Sequence, residues 1–127
     1  MSVAMQYGNG SGGQRNTGIT MNLLWTNDSP TSNFAAQTVS LDLSGYSAIV
    51  VAFATSTTSG LYAFSNIALK DGNPWFLSFL GGASTYRYGR SATVTNTGVE
   101  FSNGYRDGSA SSAQAIPLYI YGIRGIT

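Results

Sequence analysis

An antiparallel, all-β sandwich, jelly-roll-like and preceded by a flexible N-terminal arm, is the fold this sequence predicts. Three observations predict it. Apolar residues recur with a period of two from Met21 onward. Clusters of Gly, Asn, Asp and Pro interrupt them at short intervals. No stretch beyond the short one from Gly60 to Lys70 carries the 3.6-residue apolar spacing of an amphipathic helix. Roughly eight strands are expected from the turn spacing.

The elements follow in order. Residues 1–18 contain GNGSGGQRNTG, whose Gly, Asn and Ser content suits a flexible arm, and residues 19–127 form the domain. Met21, Leu23 and Trp25 alternate as one strand face. Val39, Leu41 and Leu43 alternate against Ser40 and Asp42, and Ser44-Gly45 ends that run. From Tyr46 to Ala54 both faces are apolar, which a central strand covered on both sides requires. The segment from Gly60 to Lys70 reads as strand in preference to a short helix bearing Leu61, Phe64, Ile67 and Ala68. Trp75, Leu77 and Phe79 form a face, as do Tyr86, Tyr88, Ala92 and Val94. Val99 and Phe101 flank Glu100. Ile116, Leu118 and Ile120 alternate with Tyr119 and Tyr121, and Pro117, lacking a donor, puts that strand at a sheet edge or places itself at the strand's start. Asn27-Asp28-Ser29-Pro30, Asp71-Gly72-Asn73-Pro74, Gly81-Gly82, Asn103-Gly104 and Asp107-Gly108 are the turns between them.

Composition narrows function. A chain of 127 residues with a net charge of +1 carries six basic residues spread along its length, so it lacks the basic cluster that neutralises nucleic-acid phosphates. No apolar run is long enough to insert in a bilayer, and the N-terminus lacks the charged flank and apolar stretch of a secretion signal. Cys and His are both absent. That removes thiolate and imidazole metal ligands, disulfides, and the Ser-His-Asp and Cys-His nucleophile systems. No cofactor and no metal site is expected. Only 9% of residues are charged, low for a free monomer surface and common on extracellular and virion proteins.

Few groups are left for chemistry. Lys70 is the single lysine available to a Ser-Lys system and sits beside Asp71 in a turn signal. Asp28, Asp42, Asp71, Glu100 and Asp107 are the five acids; three lie in turn signals, and Asp42 and Glu100 point outward from strands. A pair converging from separate loops would suit glycoside chemistry. Gly8 to Gly13 matches the spaced-glycine dinucleotide pattern but lacks the strand before it and the helix after it. Glycosylation sequons occur at Asn9 and Asn27. The aromatic residues are the more informative set. Tyr86, Tyr88 and Arg90 share one strand face, and Tyr105 and Arg106 follow Asn103. These five are the candidate ligand site, in which tyrosine rings stack on a sugar and arginines donate hydrogen bonds. The competing reading packs Tyr86 and Tyr88 into the core or a subunit contact. Tyr119 and Tyr121, opposite an aliphatic side, are the candidate oligomer contact, unless the segment from Gly60 to Lys70 covers that face within one chain.

Three segments carry a family resemblance. LLWTNDSPTSNFAAQTVSLDLSGYSAIVVAF (Leu23 to Phe53), TGVEFSNGYRDG (Thr97 to Gly108) and IPLYIYGIRG (Ile116 to Gly125) resemble the C-terminal β-rich domain of bacteriophage and prophage tail, baseplate or fibre proteins. Residues 55–96 match it poorly, as an exposed variable region would. The resemblance implies a virion component without catalytic residues. It implies a homo-oligomer, with a trimer favoured, beside other virion proteins at the host-contacting end. The expected function is a structural or receptor-binding domain, located in the virion or outside the cell, that adheres to bacterial surface glycan. The alternatives are a carbohydrate-binding module of a secreted bacterial protein and, third, a glycoside-acting enzyme.

Overall fold

A computed structural model describes residues 18–59, 62–81 and 86–125, together with the backbone of 2–4. Two antiparallel sheets pack face to face as a β-sandwich, and no described residue is helical. Among the described residues twelve strands make up the sheets, five of them only two or three residues long.

The first sheet runs in the order β1 (Ser2–Ala4), β2 (Thr20–Thr26), β12 (Gln114–Arg124), β4 (Ala48–Ser56) and β5 (Tyr62–Phe64), and β6 (Ala68–Leu69) also pairs with β4. The second runs β11 (Ser109–Ala110), β10 (Tyr105–Arg106), β8 (Arg87–Thr95), β9 (Gly98–Phe101) and β3 (Gln37–Ser40), and β7 (Pro74–Leu80) takes the other side of β8. The chain's early strands pair with late ones, β2 with β12 and β3 with β9, which wraps the two halves over each other. Strands β7, β8 and β9 form a consecutive meander.

The core lies between the sheets. Ile49, Val51, Phe53, Ile116 and Ile120 from the first sheet meet Leu77, Phe79, Tyr88, Ala92, Val94, Val99 and Phe101 from the second. A stack of three rings joins the layers: Phe53 lies 5.4 Å from Phe79, and Phe79 lies 5.5 Å from Tyr88, nearly parallel in both cases. Strand β4 is buried on both faces, as its double apolar pattern requires, because β12 and β5 flank it and a second apolar layer covers its outer side. That layer contains Ala48, Val50, Tyr121 and Ile123, with Met21, Leu23 and Tyr119 beside them.

Several expectations change on meeting the structure. Met21, Leu23 and Trp25 do not share a face. The pairing of β12 with β2 slips by one residue between Ile120 and Tyr121, so Leu24 and Trp25 turn to the main core while Met21 and Leu23 stay on the outer layer. The strand containing Val39 ends at Ser40; Leu41 and Leu43 continue as irregular chain whose amides donate to the Thr97 and Asn96 carbonyls. Pro117 is not in an edge strand, since β12 lies between β2 and β4. It is tolerated because β2 pairs with β12 only from Tyr119 on, and the register with β4 shifts between Pro117 and Tyr119. Within the expected arm, Ser2–Ala4 pairs with β2. The rest of the arm before Gly18, with the Asn9 sequon and the Gly8–Gly13 pattern, lies outside the described residues, as do Leu61 and Gly82.

Candidate functional site

The five residues expected to form one ligand site fall in three separate environments. Strand β8 turns its even-numbered residues inward, so Tyr88 and Arg90 face the core with Ala92 and Val94. Tyr88 is 8% exposed and Arg90 is 0% exposed, so neither is open to a ligand from outside. Tyr86 precedes the strand and is exposed, and the Arg106 guanidinium stacks 4.8 Å above its ring at the rim. Tyr105 pairs with Gly89 and faces the outside of the second sheet.

Arg90 is a structural residue. Its Nε donates to the Ala115 carbonyl at 2.6 Å, its Nη1 to Ser102 at 3.0 Å, and its Nη2 to Gln114 at 3.0 Å and Ser112 at 3.4 Å. The guanidinium also lies 5.0 Å from the Phe34 ring centroid. Burial pulls its pKa down to about 10, so it stays charged at neutral pH. A planar fork of five donors suits several fixed carbonyls at once. Lys70 is likewise structural, donating to the Leu43 carbonyl at 3.1 Å and to Asn96 Oδ1 at 2.6 Å.

The acids act mainly in turns. Hydrogen bonds from the Ser44 hydroxyl and amide hold the Asp42 carboxyl below its ordinary value. The Asn73 amide and the Trp75 indole do the same for Asp71. Glu100 points outward from β9. Asp71 lies beside the Pro74–Thr93 end of β8 and Asp107 beside Arg87 at its other end. That separation of six strand residues, about 20 Å, exceeds the spacing of glycosidase carboxylate pairs. Among the described residues no group of three His, Cys, Asp or Glu side chains could hold a metal. The Asn27 side chain is engaged: its Nδ2 donates to the Pro117 carbonyl at 2.8 Å and its Oδ1 accepts from the Ser29 amide at 2.7 Å.

A groove of about 740 Å³ lies on the outer face of the second sheet. Phe76, Leu80, Arg87, Ser91, Tyr105 and Asp107 line it, with Gly108. Three rungs of paired residues build it. Phe76 lies opposite Ser91, Ser78 opposite Gly89 and then Tyr105, and Leu80 opposite Arg87. Gly89 is the key to its shape. A Cβ there would meet Phe76 ring carbons at 2.7 and 2.8 Å, so the missing side chain leaves room for the tip of that ring. The ring is 44% exposed, and its centroid is 6.3 Å from that of Tyr105. At the far rung the Arg87 amide donates to Asp107 Oδ1 and the Asp107 amide donates back to the Arg87 carbonyl, both at 2.8 Å. Asp107 has φ of 49° and Gly108 86°, the two left-handed residues of a tight hairpin turn.

Sequence reasoning reached Tyr105 and missed Phe76, Arg87 and Asp107 as groove residues. Alternation did carry a signal: Phe76 and Leu80 oppose the core face Trp75, Leu77 and Phe79, so β7 has large apolar residues on both sides.

A second aromatic cluster lies on the first sheet. Tyr62 packs 5.7 Å from Tyr119, Phe64 packs 5.7 Å from Tyr121, and the two β12 tyrosines are 6.4 Å apart. Thus rings from the segment between Gly60 and Lys70 lie against Tyr119 and Tyr121 within one chain. Tyr62 and Phe64 themselves remain about half exposed. Burial, with the neighbouring Tyr62 and Tyr119, pushes the Tyr121 hydroxyl pKa up. Comparison of the chain with protein-family models, curated proteins and solved structures finds no match.

Proposed function

We propose that this chain is a bacteriophage virion domain, structural or receptor-binding, that adheres to glycan on the bacterial surface. The observation that carries the reading is the groove of the second sheet. It offers an exposed Phe76 ring, the Tyr105 ring and, among its lining residues, one cation, Arg87, and one carboxylate, Asp107. Sugars are bound by such sets, because a ring covers their C–H faces while directional polar groups fix their hydroxyls. Three of its walls are strands, so the site is preorganised. The resemblance of the three quoted segments to phage tail, baseplate or fibre domains supports the virion setting.

The test is adhesion of the labelled protein to intact host cells, compared with Tyr105→Ala. Lost adhesion with an unchanged circular dichroism spectrum supports the reading; undiminished adhesion overturns it. The same groove would serve a carbohydrate-binding module of a secreted bacterial protein. Neighbouring genes separate the two, since tail or capsid genes should accompany the first. Assembly belongs to the proposal too: a homo-oligomer, with a trimer favoured, in contact with other virion proteins. Support for it comes from the uncharged aromatic cluster at Tyr62, Phe64, Tyr119 and Tyr121 and from the low charge fraction of 9%.

A further inference from the structure

Resting on that adhesion reading, we propose that the groove selects a neutral oligosaccharide built of equatorially substituted pyranoses over an acidic one. Shape favours such a sugar. The tip of the Phe76 ring rests over Gly89, and the ring is 44% exposed to the groove side. A flat ring covers best the sugar whose substituents are all equatorial, because that sugar has continuous C–H faces free of hydroxyls. The exposed Leu80 side chain extends the apolar wall.

Charge points the same way. Among the described residues that line the groove, Arg87 and Asp107 are the charged ones, and they have opposite signs. Their fields oppose each other at a sugar carboxylate, so an acidic unit gains little there and still loses hydration. For a neutral sugar the pair is complementary: guanidinium donates and carboxylate accepts, which matches the two faces of a hydroxyl. The Arg87 amide fixes the carboxylate through Oδ1, and a carboxylate with one donor bound retains acceptor capacity for hydroxyls. Arg106, the nearest other cation in sequence, lies over the Tyr86 ring instead of lining the groove.

Length points the same way. From the Arg87 rung to the Ser91 rung the groove runs four strand residues, about 13 Å, with the tip of the Phe76 ring over Gly89 between them. An oligosaccharide fills that length; a single sugar covers part of it.

Calorimetry and ligand-observed NMR on the full chain provide the test. The probes are β1,4-linked tetrasaccharides of glucose and of N-acetylglucosamine, against tetragalacturonate and sialyl-lactose. The neutral tetrasaccharides are expected to bind with little change between low and high salt. Phe76→Ala and Tyr105→Ala should each weaken binding about tenfold, the loss of one stacked ring, while Phe76→Leu, which keeps apolar bulk, controls for folding. Stronger binding of an acidic probe, abolished by the same variants, would overturn the sugar class and leave adhesion through the groove standing. Neutral binding insensitive to both variants would overturn the groove as the site. No binding to any probe, with host-cell adhesion unaffected in the double variant, would overturn this inference and the adhesion reading together.

Discussion

Arg90 Nε lies 2.6 Å from the carbonyl oxygen of Ala115, and Ala115 itself has a left-handed backbone with φ of 51°. One buried guanidinium therefore holds the entry to β12, the strand at the centre of the first sheet, from β8 in the second. The same side chain satisfies the carbonyls of Ser102, Ser112 and Gln114. Replacing it with Met would keep apolar volume but strip donors from four carbonyls. Each unsatisfied buried group costs about 1–3 kcal/mol, against a total stability of about 5–15 kcal/mol. Arg90→Met is expected to lower stability by at least about 4 kcal/mol in urea unfolding. Arg90→Lys should lose nearly as much, because an ammonium cannot span four carbonyls. A Lys variant as stable as the parent would show the fork geometry to be unimportant.

Asn66 blocks the free edge of β7. Its Nδ2 donates to the Phe76 carbonyl at 3.2 Å, and its Oδ1 accepts from the Ser78 amide at 2.9 Å, as a neighbouring strand would. Open edges template association with other chains. Asn66→Ala is expected to cost about 1–2 kcal/mol for two hydrogen bonds and to raise self-association on storage. Asn66→Asp keeps the acceptor and should lose about half as much stability. Sedimentation and urea unfolding read both effects.

Acid pH should be reported by Trp75. Asp71 is held below its ordinary 3.8 by the Asn73 amide and by the Trp75 indole. A carboxylate depressed in the folded state contributes stability that is present above its unfolded pKa and is lost as pH falls through its folded pKa. In a Trp25→Phe background, Trp75 emission should therefore hold steady down to the ordinary carboxylate range and change only below it. Asp71→Asn should abolish the step. A midpoint at or above the ordinary value would show that the indole bond does not favour the ionised form.

Gly89 is a test of the groove's construction. A methyl group there would approach the Leu77 carbonyl oxygen at 2.4 Å and displace the Phe76 ring. Gly89→Ala is expected to cost about 1–3 kcal/mol, the range for overpacked sites, and to increase acrylamide-accessible disorder around Trp75 on the same strand as Phe76. Unchanged stability would mean that the ring gives way freely and is not a fixed platform.

Assembly can be weighed directly. Light scattering on the purified chain is expected to give three times its 13.3 kDa mass. Tyr62→Ser with Phe64→Ser should reduce that mass to one chain if the aromatic cluster is the contact. A monomer in the parent protein would remove the oligomer from the proposal.

How much was legible in the sequence differs by residue. Alternation located Trp75, Leu77 and Phe79 as a core face, and Tyr46 to Ala54 as a doubly covered strand, because the pleat fixes side-chain direction with a period of two. It also set Tyr88 and Arg90 on one face with Ala92 and Val94. That face turns inward, and the donors of Arg90 go to backbone carbonyls of Ser102, Ser112, Gln114 and Ala115 instead of to a ligand, partners that leave no mark in sequence. The slip that parts Trp25 from Leu23 was equally invisible, since a bulge depends on the register of two strands distant in sequence.

The sequence by itself determined an all-β chain, its turn positions and the absence of cysteine and histidine chemistry, because pleat, backbone preference and composition are local properties. Tertiary structure alone decided that Phe76, Tyr105, Arg87 and Asp107 share one groove. Those residues come from three strands and a turn whose adjacency follows from which strand pairs with which. A side chain's direction is set by its own backbone, whereas its neighbours are set by pairing across the sheet.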